Sequence, residues 1–184
     1  MKPVRMFSIF AAGAVALFLT GATSCEEVLN NPDAYFDNEI DQTPSYVISL
    51  HDIIKYRRGD MMEKEVDAFA GGTVCVNKNS YLHSRDIMKI GMVQRKSDPE
   101  FFDLIITLTE RGQRIWSALS VNMRAKGSAG ELAFIIDGMY YRSFKPELIT
   151  DNETMVVTIE GPFDPATANG LVKNAERNYK IFNK

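Results

Sequence analysis

The sequence is poor in the residues and motifs that carry most enzyme chemistry. It contains only two cysteines and two histidines. His51 and His83 lie far apart and form neither the H-x-x-x-H nor the H-E-x-x-H spacing of metal sites. No G-x-S-x-G, P-loop or G-x-G-x-x-G pattern occurs. We therefore expect no catalytic residue, no metal and no cofactor, and we interpret both histidines as surface or edge residues.

The chain also lacks a long basic run. Lys and Arg number 21 against 24 Asp and Glu, which gives a net charge of −3. The N-terminal 24 residues carry Lys2 and Arg5 and no acid, so the remainder is more acidic still. A mildly acidic chain without a long basic run is a poor candidate for binding nucleic acid or an anionic lipid surface. We expect no nucleic-acid partner.

The N-terminal residues have the three parts of an export signal. Residues 1–5 are basic, residues 6–19 are almost wholly apolar, and residues 20–24 are small. The apolar run, about 14 residues, is shorter than the roughly 20 that a membrane-spanning helix needs. We predict that residues 1–24 are a cleaved lipoprotein signal peptide.

Cys25 directly follows the small residues, as in bacterial lipoproteins, whose cysteine thiol takes a diacylglycerol and becomes the new N-terminus. Ala22 stands where leucine is usual in that motif, so ordinary cleavage near Ala22 is the alternative. Lipidation of Cys25 by palmitate-type chains would hold the protein on a membrane. We expect the cell envelope of a Gram-negative bacterium, on the outer rather than the inner membrane. Residues 25–43 are acidic and turn-prone, which predicts a flexible tether.

Residues 44–80 give weaker signals and are assigned to the N-terminal part of the folded domain. Residues 46–50 suggest a short strand, whereas Leu50 with the isoleucines after it fits a helix capped by Ser49. Arg58-Gly59-Asp60 spells a tripeptide that some adhesins present to integrins, and we interpret it as a polar turn. Cys75 lies in an apolar, β-branched stretch, which predicts a buried and inert thiol in a strand.

Clear strand and helix signals follow. Thr107 or Thr109 is placed to cap a first helix that Gly127 ends, and Asp164 to cap a second. Asp137-Gly138 predicts a tight hairpin, which makes Asp137 a turn residue rather than a general base. The pattern predicts an α+β fold, a mostly antiparallel sheet with two helices packed on one face. The predicted strands span residues 73–76, 87–93, 101–108, 131–136, 139–144 and 154–160.

Three landmarks in the second half resemble a known family. They are Leu108-Thr109-Glu110-Arg111-Gly112, then Phe134-Ile135-Ile136-Asp137-Gly138, then Ile159-Glu160-Gly161-Pro162-Phe163-Asp164. Residues 81–184 thereby resemble the first periplasmic, or head, domain of SecD, the Sec translocon accessory protein. The resemblance implies a SecD-head-like fold, a relative of the ferredoxin-like arrangement, and contact with emerging unfolded polypeptide. Because the sequence offers no membrane helix beyond the signal, a binding role alone carries over.

The predicted strand at 139–144 offers a candidate partner-binding surface. Tyr140, Tyr141 and Phe144 lie together there, and Tyr140 and Tyr141 face opposite sides, so either one is exposed or both faces are covered. We therefore expect a non-enzymatic, lipid-anchored envelope protein that binds polypeptide or assists export. One alternative is a small envelope hydrolase or ligand-capture protein whose site forms from scattered acids. The other is a surface adhesin that uses Arg58-Gly59-Asp60.

Overall fold

The strands divide over three antiparallel sheets, and two helices complete the described part of the chain. The computed structural model describes residues 43–59, 61–127, 130–150 and 153–184. The predicted signal peptide, Cys25 and residues 26–42 of the predicted tether lie outside these residues. Pro44–Lys184 form one compact unit, which contains both residues 44–80 and residues 81–184. The predicted α+β class, with mainly antiparallel pairing, is confirmed.

The elements follow one another in a simple order. A 3₁₀ turn at Ser84–Asp86 joins the strand Leu82–His83 to the strand Ile87–Gln94. The elements are β1 Ile48–Asp52, β2 Glu63–Asp67, β3 Thr73–Asn77, β4 Leu82–His83, β5 Ile87–Gln94, β6 Phe102–Leu108, α1 Glu110–Ala125, β7 Leu132–Ile136, β8 Met139–Phe144, β9 Val156–Phe163 and α2 Pro165–Phe182.

Long-range pairing builds the sheets. The four-stranded sheet has the order β4-β1-β7-β8, the three-stranded sheet has the order β5-β6-β9, and β2 and β3 form a separate hairpin. β1 pairs along its whole length with β7, Leu50 lying opposite Phe134. The strand interpretation of this segment is therefore right, and the helical one is wrong, because both edges of β1 are occupied by neighbouring strands.

The helices begin where the sequence predicts. The Thr109 hydroxyl accepts a hydrogen bond from the backbone N–H of Gly112 at 3.0 Å, so Thr109 rather than Thr107 is the cap of α1. The Asp164 carboxylate accepts from the N–H of Thr167 at 2.9 Å, and Pro165 fills the first position of α2. Each cap supplies a partner for an N–H that the helix itself leaves unbonded.

Two cores of unequal size hold the domain together. The main core takes side chains from the inner faces of the larger sheets and from both helices, with Trp116, Phe134 and Phe163 at its centre. A smaller core lies between the β2–β3 hairpin and the other face of β7, where Ala133 and Ile135 are buried. β7 is consequently buried on both faces, which explains its continuous apolar sequence.

Two details depart from the sequence prediction. The strand predicted at residues 154–160 does not end there, since β9 continues through Gly161 to Phe163 across an irregularity in its pairing with β6. His51 is 8% exposed and belongs to the buried residues, because the β2–β3 hairpin covers its face of the sheet. Cys75 is buried in β3, as predicted.

Candidate functional site

The candidate partner-binding strand lies at an edge of the four-stranded sheet, but its aromatic residues already have structural contacts. Phe144 is 5% exposed, stacks against Trp116 with ring centroids 6.1 Å apart, and contacts Phe134 edge-on at the same distance. A side chain held in this way belongs to the core. A partner cannot reach Phe144 in the folded domain.

Tyr141 links β8 to the start of α2. Its ring stacks on Phe163 at 5.4 Å, and its hydroxyl donates to the Asp164 carboxylate at 2.8 Å. Burial raises the pKa of Tyr141. Burial also pushes the pKa of Asp164 upward, but the hydrogen bonds from Thr167 and Tyr141 outweigh it, so the net pKa lies below the usual value. The Tyr141–Asp164 hydrogen bond therefore helps to hold the start of α2 against β8.

The outer edge of β8 is occupied as well. The carbonyl of Tyr140 accepts a hydrogen bond from the N–H of Phe69 at 3.0 Å, where the β2–β3 turn lies alongside. The Arg142 guanidinium donates to the carbonyl of Ser143 and to that of Pro162, both at 3.2 Å. An added strand would have to displace these contacts before it could bond to β8.

The outer edge of β9 is more accessible. Within β9, Val157 and Ile159 lie opposite Ile106 and Leu104 of β6, and the N–H of Leu108 extends this ladder by donating to the carbonyl of Met155 at 2.8 Å. Antiparallel geometry then turns the alternate backbone groups of β9, from residue 156 to residue 160, away from β6. We call these outward groups of Val156, Thr158 and Glu160 the β9 edge.

A side chain rather than a strand lies against the β9 edge. The N–H of Thr158 donates to the exposed carboxylate of Glu147 at 3.1 Å. Glu147 belongs to residues 145–150, a segment without regular structure that we call the strap. A carboxylate oxygen thus stands where the carbonyl of a neighbouring strand would stand.

The backbone of the strap is bonded to α1. The carbonyl of Glu147 accepts from the Trp116 indole N–H at 3.0 Å, and that of Ile149 from the Ser117 hydroxyl at 3.2 Å. The N–H of Ile149 donates to the Ser120 hydroxyl at 3.3 Å. These backbone groups of the strap therefore bond the helix and leave the β9 edge to the Glu147 side chain.

The three-stranded sheet also has an open outer face. Gly91 lies opposite Ile105, which lies opposite Thr158, so these three residues form a row across the sheet. Val93 and Val156 flank this row and are 49% and 50% exposed. The face therefore carries Ile105 at its centre, between Gly91 and Thr158, and borders the β9 edge directly.

A hydroxyl–imidazole pair, which sequence reasoning missed, lies on the four-stranded sheet. The Ser49 hydroxyl is 3.0 Å from Nε2 of His51, and Nδ1 of His51 is 2.7 Å from the carbonyl of Asn77. Since a carbonyl only accepts, Nδ1 carries a proton and the neutral ring accepts from Ser49. Burial lowers the pKa of His51, which favours this neutral form. The i, i+2 spacing in a strand was the available signal.

The other predicted sites are placed as follows. Arg58 and Gly59 are exposed, and their N–H groups donate to the Glu63 carboxylate at 2.9 and 3.1 Å, while Asp60 lies outside the described residues. Asp137 occupies the hairpin turn with a φ of +50°. Among the described residues no group of three His, Cys, Asp or Glu side chains could hold a metal ion, and no helix is long and apolar enough to cross a membrane.

No protein-family model and no curated protein sequence matches the chain. The solved structures that resemble it distantly include two of SecDF. One, of SecDF, a membrane component that enhances protein export, has a TM-score of 0.46 and 13% identity over 79% of this chain and 69% of that chain. The other, SecDF in a super-membrane-facing form, has the same score and identity over 79% of this chain and 21% of its own. The chain thus spans about a fifth of the second structure.

Proposed function

We propose that this protein is a non-enzymatic, lipid-anchored envelope protein that binds extended polypeptide by strand addition at the β9 edge. The single observation that carries the proposal is the hydrogen bond from the Thr158 N–H to the Glu147 carboxylate, because it marks a backbone group without a strand partner. Main-chain groups in a row recognise another main chain, so the ligand class is polypeptide. An unfolded export client belongs to that class.

The open face supports the same ligand. Side chains of an added strand alternate between the two faces of the sheet, so every second one would lie beside Val156 and near Ile105. Burial of apolar area there would contribute roughly 25 cal/mol per Å² before the costs of ordering the ligand. We expect peptides with alternating apolar residues to bind more tightly than polar ones.

The β9 edge is a better candidate than the β8 edge predicted from the sequence. Binding at β8 would break the Phe69 contact with Tyr140 and the two Arg142 hydrogen bonds. Binding at β9 exchanges one exposed carboxylate contact for a strand ladder. Strand addition at the β9 edge therefore requires less rearrangement of the domain than strand addition at β8.

Strand addition is tested with a permanently unfolded, reduced and alkylated model protein carrying a fluorophore. Thr158→Pro removes an outward N–H without breaking a bond to β6, and we expect at least tenfold weaker binding by fluorescence anisotropy, about 1.4 kcal/mol. Glu147→Ala frees that N–H and should tighten binding by roughly threefold to tenfold.

Thr158→Val is the matched control, because it keeps the backbone N–H and the side-chain shape. It should bind like the parent protein, and circular dichroism should show the same fold for all three variants. Equal affinity of Thr158→Pro and Thr158→Val would refute binding at this edge. Should Thr158→Pro fail to fold, Val156→Pro provides the same test at the neighbouring outward position.

The lipid anchor is a separate part of the proposal. It rests on the apolar run and small residues before Cys25. Metabolic labelling with a palmitate analogue should mark the parent protein and fail to mark Cys25→Ser. Mass spectrometry of the mature N-terminus should find the acyl chains on Cys25. An unmodified mature N-terminus at another residue would refute the anchor and leave strand addition intact.

A further inference from the structure

A loop that follows β1 exposes large apolar side chains beside cations. Tyr56 is 86% exposed, Met61 89% and Met62 42%, so the first two are almost wholly outside the domain. We define the basic loop as residues 55–59 together with 61–62. These three side chains lie within seven residues of one another, and burial of the group would remove their combined apolar area from water.

The charges around the basic loop are mixed, with cations in excess. Arg57 is ion-paired with Glu65, and the Glu63 carboxylate accepts backbone N–H groups of the loop. Lys78 lies alongside, its N–H donating to the carbonyl of Met62 at 2.7 Å. Among the charged residues from 55 to 65 together with Lys78, five cations stand against three acids: Lys55, Arg57, Arg58, Lys64 and Lys78 against Asp60, Glu63 and Glu65.

We infer that the basic loop inserts into the interfacial region of an anionic lipid bilayer. A tyrosine has the amphipathic ring that favours the headgroup level, and the methionines can enter the acyl boundary beneath it. Protruding single side chains suit a deformable partner, because a rigid protein surface would need a matching pocket for each of them. The chain as a whole is acidic, which predicted no affinity for an anionic lipid surface, but the local excess of cations at the basic loop attracts anionic headgroups.

The chain connecting the loop to Cys25 permits this contact. This step rests on the proposed lipid anchor. Residues 25–43 can span roughly 60 Å when extended, so an anchored domain stays within reach of the bilayer surface. An anchor and a second weak contact act together, because the anchor raises the effective concentration of the loop at the membrane.

The test uses the full-length processed protein reconstituted in vesicles of zwitterionic lipid with phosphatidylglycerol. Met61→Cys takes a spin label, since Cys75 is buried and an acylated Cys25 cannot react. We expect the label at position 61 to lose its collisions with a water-soluble nickel reagent and to keep its collisions with oxygen. The matched control is Val121→Cys, which is 52% exposed on α1 and should stay accessible to nickel.

The outcomes separate the possibilities. Equal nickel accessibility at positions 61 and 121 would overturn the inference. Loss of both nickel and oxygen collisions at position 61 would place the loop against protein, a second copy included, and would overturn it too. In vesicles without phosphatidylglycerol, or with Arg58→Gln, nickel collisions at position 61 should return in part. Failure of the protein to float with any vesicle would instead refute the lipid anchor.

Discussion

Gly170 and Tyr46 are in contact, and we predict that Gly170→Ala destabilises the parent protein but stabilises a variant that lacks the Tyr46 ring. Gly170 lies within α2, where glycine costs about 1 kcal/mol relative to alanine. A Cβ added there would overlap the Tyr46 ring, whose third-nearest atom, Cδ1, would stand only 2.8 Å away. Tyr46 has a φ of +54°, and its N–H donates to Asp137 at 2.9 Å, which holds the ring over the helix.

Gly170→Ala in the parent protein should therefore lower the free energy of unfolding. Carbon atoms pack at about 3.5–4.0 Å, so the ring must move, and overpacking of this kind costs about 1–3 kcal/mol. Because the overlap is deep, we expect the upper part of that range, about 2–3 kcal/mol, which the helix gain of about 1 kcal/mol reduces to a net loss of about 1–2 kcal/mol. In a Tyr46→Ala background the clash is gone, and the same substitution should stabilise by about 1 kcal/mol.

Urea denaturation of the four proteins measures the cycle. The single tryptophan, Trp116, is fully buried, so its fluorescence reports loss of the core. We expect a coupling energy between Gly170 and Tyr46 of about 2–3 kcal/mol. Stabilisation by Gly170→Ala in both backgrounds would refute the reasoning, because it would mean that the ring exerts no constraint on the helix.

Three further predictions concern the stability of the domain. Burial lowers the pKa of His51 below 6.5, so the unfolded state binds more protons than the folded state just below pH 6.5. The free energy of unfolding should therefore fall on acidification through this window. Urea titrations at several pH values should show a shallower fall for His51→Gln than for the parent protein. Asp137→Ala should cost about 2 kcal/mol in urea, and Asp137→Asn less, because the Asp137 carboxylate accepts two backbone N–H groups at 2.7 and 2.9 Å and its φ is +50°. Gly112→Ala should lower the melting temperature by roughly 5–10 °C in scanning calorimetry, since its Cβ would stand 2.6 Å from the carbonyl oxygen of Asp86; an unchanged melting temperature would contradict this close approach.

Local chemistry made the second half of the fold predictable. The caps Thr109 and Asp164 and the Asp137-Gly138 turn act within a few residues, so the sequence displays them directly. β2 was missed because only Val66 of its five residues is buried and the others are charged. β1 was ambiguous because its pairing partner, β7, lies far along the chain.

The candidate site was harder to predict for a related reason. Whether β8 or β9 is open depends on what lies beside each strand in space, and those neighbours are the β2–β3 turn for β8 and the strap for β9. The β2–β3 turn and the strap show no hydrophobic period of a strand or helix, so the sequence pattern could not reveal which edge each of them covers. The aromatic residues of β8 predicted a binding surface, but Tyr141 and Phe144 pack against other aromatic rings within the domain.

Because the core beneath the β2–β3 hairpin is small, the hairpin should open at a lower free energy than the whole domain unfolds. Four buried residues, Val66, Val76, Ala133 and Ile135, hold the hairpin, against more than twenty in the main core. Amide protons of β2 and β3 should therefore exchange with solvent through a partial opening, well before global unfolding exposes those of β6. Proteases would cut there first, and the remaining sandwich of sheets and helices would outlast the loss of the hairpin.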